Sequence, residues 1–226
     1  MVKILLTYIV LKLIPCIISD NSVELEMIQG INFSTMYVNN ILTIEHLQLL
    51  MEKIKLLHNN LESDETHFDY PNLSKKFVDR VKMYDYKSYG ILDDEVLQIE
   101  RELNVVESQG YKNVMIHGDC VFSNVMLSES GDIKFVDVRG MVGDKKTCYG
   151  LYLYDYAKIY QSLIGYDEIL MDKKIKKSYK DIMLKFFEKQ VGEDFDMIKI
   201  ITKSLILSLV PLHDDIDKIK KYVKLI

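Results

Sequence analysis

One stretch constrains this chain more than any other: MIHGDCVFSNVMLSESGDIKFVDVRG, from Met115 to Gly140. It sets a histidine, aspartates, an asparagine and an arginine among apolar residues. Two short β-prone runs, Val125–Leu127 and Ile133–Val136, flank the turn SESGD with Gly131 inside it, the pattern of a hairpin. With the turn centred between Ser130 and Gly131, Asn124 and Asp137 are equidistant from it. They then face each other at the open end, roughly 5 Å apart by strand-pair geometry. An amide oxygen and a carboxylate so placed are two hard oxygen ligands. That suits Mg²⁺, which takes few protein ligands and completes its shell with substrate phosphates and water. Asp119 precedes Asn124 by five residues, and a tight loop through His117 and Gly118 aims its carboxylate at the same space. Taken singly, each of these residues is an ordinary cap or turn residue. Taken together, they offer one base and two metal ligands for an anionic substrate.

The rest of the chain reads mostly as helix. At 226 residues, 48% hydrophobic and 28% charged, it is long enough to bury a sizeable core. LIPCIIS reads as a strand entered through Pro15, SDNS as a turn, and VELEMIQG as an alternating strand ending at Gly30. Thr43 can cap a helix running to residue 60, with Leu47, Leu50, Ile54 and Leu57 on one stripe. Residues 61–75 are polar and loop-like. SKKFVDRVKMYDYK and DDEVLQIERELNVVESQG read as two more helices, the second capped by Asp93 or Asp94 and stopped by Gly110. Beyond the hairpin, YLYDYAKIYQSLIG, KKSYKDIMLKFFEKQVG, FDMIKIITKSLILSLVPLH and DDIDKIKKYVKLI are helical. No internal repeat interrupts this order. The expected class is α+β, mostly helical, with one hairpin near its middle.

Bulk charge narrows the function. A net charge of −5 argues against a nucleic-acid binder, which would present a basic face. Cys16, Cys120 and Cys148 are too few and too scattered for a disulfide framework, and no CxxC pair suggests zinc. The thiols read as reduced and the compartment as cytoplasmic. MVKILLTYIVLKLIPCIISDNS has the lysine and apolar run of a signal peptide, but Lys12 interrupts the run and Ile17 suits a cleavage site poorly. The run is also too short to span a membrane, so no membrane partner is expected. A secreted helical protein is the weaker alternative.

H-x-D-x-x-x-x-N followed by a hairpin and an aspartate is the arrangement of kinase catalytic and metal-binding loops. IHGDCVFSNVML resembles the signature of aminoglycoside phosphotransferases and choline kinases, which share the protein-kinase-like fold. KFVDVRG and YLYDYAKIYQSLIGYDEI are similar to a subgroup associated with capsular-polysaccharide and sugar-nucleotide enzymes, as is SLVPLH. The resemblance covers roughly residues 24–215. It implies an ATP-dependent phosphotransferase acting on a hydroxyl of a sugar or amino alcohol. Asp119 would be the catalytic base, Asn124 and Asp137 would hold Mg²⁺, and His117 would support the loop from within. Asp155 would hold the loop by hydrogen bonds. Arg139 would pair with Asp119, a phosphate or an anionic substrate. Backbone groups of Glu26, Met27 and Ile28 would bond adenine as a hinge.

The resemblance also implies a division: residues 1–29 as remnant of a small lobe plus hinge, and residues 30–226 as the helical lobe with catalytic loop and metal site. The front departs from the family. No glycine precedes Gly30, and neither Lys3 nor Lys12 has a clear claim to be the phosphate lysine. Val138 replaces a proline. The phosphate clamp is therefore expected to be missing, with a partner chain supplying the small lobe, or the chain acting as an inactive binding module. An acidic cleft is expected to favour a neutral or cationic acceptor unless Arg139 compensates. His58 reads as a packing or loop residue and His213 as a helix-end hydrogen-bonding residue. The lysine runs at 173–177 and 218–224 read as solvated faces. Of Tyr149, Tyr152, Tyr154, Tyr156 and Tyr160, most should pack and one or two should line a pocket.

Overall fold

The computed structural model describes residues 16–18, 23–25, 27–59, 73–91, 93–111, 113–142 and 145–226. Glu26, Lys3, Lys12 and most of the expected 61–75 loop lie outside the described residues. Strands β1 (Cys16–Ile18) and β2 (Val23–Leu25) pair antiparallel, as expected. The alternating run to Gly30 is not one strand. Gly30 begins β3 (Gly30–Asn32), which pairs with a later strand. A Cβ at Gly30 would stand 2.2 Å from the Leu127 carbonyl oxygen, so the close approach of the two backbones requires glycine.

Helix α1 (Phe33–Val38) was not anticipated, because six residues carry too little apolar period to be read. Asn32 caps it by accepting the Thr35 N–H at 2.7 Å. In α2 (Ile44–Asn59), the His46 N–H donates to Thr43 Oγ1 at 3.3 Å, and the expected leucine–isoleucine stripe is buried. Each such side chain contributes roughly 1.5–3 kcal/mol by leaving water. Helix α3 (Leu73–Val81) is shorter than expected. The chain turns after it so that Tyr86 points inward and donates its hydroxyl to the Leu207 carbonyl at 3.0 Å. Helix α4 (Asp93–Ser108) stops ahead of Gly110, which sits at φ +67 in the left-handed region.

Strand β4 (Asn113–Met115) leads into the motif segment. Strands β5 (Val125–Ser128) and β6 (Ile133–Phe135) form the expected hairpin and join β3 in a three-stranded sheet ordered β3-β5-β6. A small hairpin, β7 (Met141–Val142) with β8 (Lys145–Lys146), follows. Strand β9 (Tyr149–Leu151) then pairs antiparallel with β4 and closes the segment on itself. Strands of three residues are below what alternation reveals, so neither β4 nor β9 was expected.

Helix α5 (Tyr152–Gln161) is followed by a π turn over Ser162–Tyr166 and by α6 (Asp167–Leu170). The sequence reading ran one helix through this kink. Helices α7 (Lys177–Val191), α8 (Phe195–Leu207) and α9 (Ile216–Val223) complete the fold. Helix α5 packs on α8, which also touches α4. Leu153, Ala157, Ile159, Ile198 and Ile201 fill this contact without exposure. The result is an α+β architecture in which a helical body carries the hairpin on one side. Among the described residues, no helix is long and apolar enough to cross a membrane.

Candidate active site

The hairpin registers one residue away from the expected pairing. Val125 stands opposite Phe135 and Leu127 opposite Ile133, and the Ser128 N–H donates to the Asp132 carbonyl at 2.9 Å. The loop is therefore the odd-length kind, Glu129 to Gly131, with Gly131 left-handed at φ +78. Asn124 consequently meets Val136, whose N–H donates to its carbonyl at 3.0 Å. Asp137 comes one residue later, where strict alternation would send its side chain to the opposite face. It leaves the strand conformation instead, at φ +55, and re-aims the chain.

The loop before the hairpin is held from below by Asp155. Its Oδ2 accepts the His117 N–H at 2.9 Å and its Oδ1 accepts the Gly118 N–H at 2.8 Å. Its Oδ2 also lies 3.1 Å from Nε2 of His58. His58 is thus a partner of the buried aspartate, rather than a simple packing residue. His213 makes no such bond among the described residues; its ring packs 5.1 Å from that of Tyr222. His117 is fully buried, with Phe135 edge-on at 5.3 Å. Its Nδ1 accepts the Asp119 N–H at 3.2 Å. Burial lowers its pKa against the pull of the Asp155 and Asp119 carboxylates, so the ring is a neutral brace inside the loop. From above, the Arg139 N–H donates to the His117 carbonyl at 2.8 Å. Gly118 is left-handed at φ +78, and a Cβ there would lie 2.7 Å from Cβ of Arg139.

This bracing leaves the Asp119 carboxylate partly exposed. Lys158 on α5 pairs with it at 3.1 Å. Nδ2 of Asn124 donates to the Asp119 carbonyl at 2.9 Å and reaches Asp119 Oδ2 at 3.4 Å. The amide oxygen of Asn124, 3.5 Å from Ser123 Oγ, has room to accept a cation, and Asp137 is the carboxylate that follows the hairpin's second strand. Among the described residues, no three histidine, cysteine, aspartate or glutamate side chains form a metal cage. The donor set that fits a cation here is the sparse kind, one amide and one carboxylate, that leaves room for phosphate oxygens and water. Cys120 is fully buried and its thiol pKa is pushed well up, which removes it as a nucleophile. A further relay steadies the loop. The Phe122 N–H donates to Ser162 Oγ at 2.9 Å, and both Ser162 and Ser34 hydrogen-bond to buried Asp167.

Asp119 and Asp137 open onto a cavity of about 280 Å³. Its wall carries Lys76 and Arg80 from α3, Arg139, and Lys158, with Tyr154 among them. The cavity therefore carries four cations against the carboxylates of Asp119 and Asp137, which corrects the expectation of an acidic cleft. Arg139 does not pair with Asp119. Its Nη1 donates to the Tyr154 hydroxyl at 3.2 Å and its Nε to the Met141 carbonyl at 2.9 Å. Burial alone would raise the Tyr154 hydroxyl, yet the charges of Lys158, Lys76 and Arg139 outweigh it and draw its pKa below the ordinary value. Lys76, Arg80 and Lys158 were missed in the sequence. Lys158 stands three residues after Asp155, and Lys76 and Arg80 are four apart on one helix, spacings that place each pair on a shared face.

Met27 and Ile28, from the stretch expected to serve as a hinge, border a hollow with Gln29, Ser128, Glu129, Ser130, Asp132 and Lys134. The Glu129 N–H donates to the Gln29 carbonyl at 3.0 Å.

No protein-family model matches the chain, and no curated protein matches it in sequence. Solved structures do. An ethanolamine kinase from Plasmodium vivax superposes with a TM-score of 0.57 at 15% identity, over 99% of this chain and 68% of that one. A glucosamine kinase in complex with glucosamine, ADP and inorganic phosphate gives 0.61 at 11% identity, over 90% of this chain and 57% of that one. A second crystal form of glucosamine kinase gives 0.62 at 11%, over 90% of this chain and 60% of that one. The chain therefore shares the fold of small-molecule kinases and spans about three fifths to two thirds of their length.

Proposed function

We propose that the chain is an ATP- and Mg²⁺-dependent phosphotransferase that moves the γ-phosphoryl group to a hydroxyl of a small molecule. The observation that carries this reading is the state of Asp119. Buried Asp155 and His117, with the partly exposed Arg139 bonded to the His117 carbonyl, brace the loop that carries it, while its carboxylate faces a cavity. The kinase fold, with one structural neighbour described as binding ADP, adds support.

In this reading Asn124 and Asp137 would hold Mg²⁺, which would supply charge neutralisation on the nucleotide phosphates. Met27 and Ile28, with Glu26, supply hinge backbone groups to adenine, and residues 30–226 are the lobe that carries the chemistry. The acceptor oxygen attacks the γ-phosphorus, the new O–P bond forms, and the bond to the β–γ bridging oxygen breaks. ADP leaves with that electron pair. Asp119 takes the hydroxyl proton, and Lys158 offsets negative charge beside the base. Positioning and charge neutralisation supply most of the rate in such transfers. Asp119→Asn keeps the shape and removes the base, so turnover should fall roughly 10²–10⁴-fold with the fold intact. Unchanged turnover in that variant would reject the assignment.

A further inference from the structure

The cavity in front of Asp119 holds more positive charge than the base needs. Lys158 is paired with Asp119 at 3.1 Å. Lys76, Arg80 and Arg139 have no carboxylate partner among the described residues. Arg80 donates to the Ser208 carbonyl at 3.3 Å, and Arg139 to the Met141 carbonyl and the Tyr154 hydroxyl. Lys76 lies 5.7 Å from the centre of the Tyr154 ring, with Arg139 and Lys158 each 6.0 Å from it. Partial burial is the main cause that lowers the Lys76 pKa; Tyr154 pulls against it, and the charges of Arg139, Arg80 and Lys158 lower it further. Like charges held together in a half-enclosed space are costly unless an anion joins them. Phe77, Leu209 and Leu212 supply an apolar wall to the same cavity. None of its lining residues borders the hollow beside Met27 and Ile28, so these cations lie on the acceptor side of Asp119.

We propose that the acceptor is a hydroxyl compound of about monosaccharide size bearing its own anionic group, a phosphate ester or a carboxylate, bound by Lys76, Arg80 and Arg139. This rests on the kinase reading and names the substrate class for it. The cavity's volume of about 280 Å³ is at the small end of ligand sites, which sets the size. The forked guanidinium groups suit planar or tetrahedral oxyanions. The anion anchors the molecule while a separate hydroxyl reaches Asp119 and is phosphorylated as above. An ammonium-bearing acceptor would meet repulsion.

The test titrates four probes into the full chain by calorimetry: glucose 6-phosphate, glucuronate, glucose and glucosamine, with ATP–Mg²⁺ titrated separately. Glucose 6-phosphate or glucuronate should bind at least about tenfold tighter than the other two probes, and which of them wins separates phosphate from carboxylate. Lys76→Met and Arg80→Gln should each weaken that probe about tenfold or more, whereas Lys76→Arg should restore binding. If ATP–Mg²⁺ binds but glucose or glucosamine binds as well as the anions, the acceptor inference is overturned and the kinase reading stands. If ATP–Mg²⁺ binds and no anion does, the inference is likewise overturned. Anion binding without ATP binding would uphold the anion site and sink the kinase reading.

Discussion

The loop under Asp119 and the cavity in front of it are built on opposite principles. In the loop, most buried polar groups are matched, His117 Nε2 excepted: Asp155 takes two backbone N–H groups and faces His58, Nδ1 of His117 takes the Asp119 N–H, and Ser162 takes that of Phe122. In the cavity, three of four cations stand without a carboxylate among the described residues. The first region is optimised for stability and rigidity. The second keeps charge unsatisfied for a ligand. The contrast teaches that a positioned base and the pocket it serves place different demands on neighbouring residues, and that mutations should sort by region.

The largest effect is expected in the loop. Asp155→Ala orphans two buried N–H groups and the His58 contact, and should destabilise the chain by about 3–5 kcal/mol. Chemical denaturation measures this, and a loss below 1 kcal/mol or so would break the contrast.

The next effect lies in the relay behind the loop. Burial pushes the Asp167 carboxyl up to about 6, against about 4 in an unfolded chain. Between those values the folded state binds more protons, so this group's contribution makes stability fall as pH rises from about 4 to about 6. Below that window both states are protonated and the contribution is flat. Asp167→Asn cannot titrate. Its Tm should therefore gain on that of the native chain across the window, by the equivalent of about 1–3 kcal/mol. Parallel Tm profiles for the two proteins would contradict this.

The smallest effect has the opposite sign. Lys76→Met removes a repelled, partly buried charge and should raise stability in the absence of ligand by about 0.5–1 kcal/mol. Destabilisation of that size would mean that the pocket charges are structural, and the distinction between the two regions would fail.

The same division explains what the sequence reveals. His117, Asp119, Asn124 and Asp137 lie within one short run, so their spacing carries the loop and hairpin directly. The hairpin's register was misread by one residue because the loop length depends on the left-handed state of Gly131, which composition does not specify. The amphipathic stripe of α2 was legible because it spans several turns. Helix α1 and strands β4 and β9 were not, since a few residues show no period and tertiary pairing decides their state. The cavity was the least legible part. Its cations come from α3, the end of the hairpin and α5, and the chain's net charge of −5 masks their local excess. Only the packing of α5 on α8, of α8 on α4 and of α4 on α3 reveals that these charges converge.

The central claim is that Asn124 and Asp137 hold a metal on nucleotide phosphates in front of Asp119. Calorimetric titration of ATP into the purified chain, with and without Mg²⁺, tests it most directly, alongside Asp137→Asn. The account predicts binding that requires Mg²⁺ and that weakens about tenfold or more in Asp137→Asn. Identical isotherms with and without Mg²⁺, or in the native chain and the variant, would contradict it.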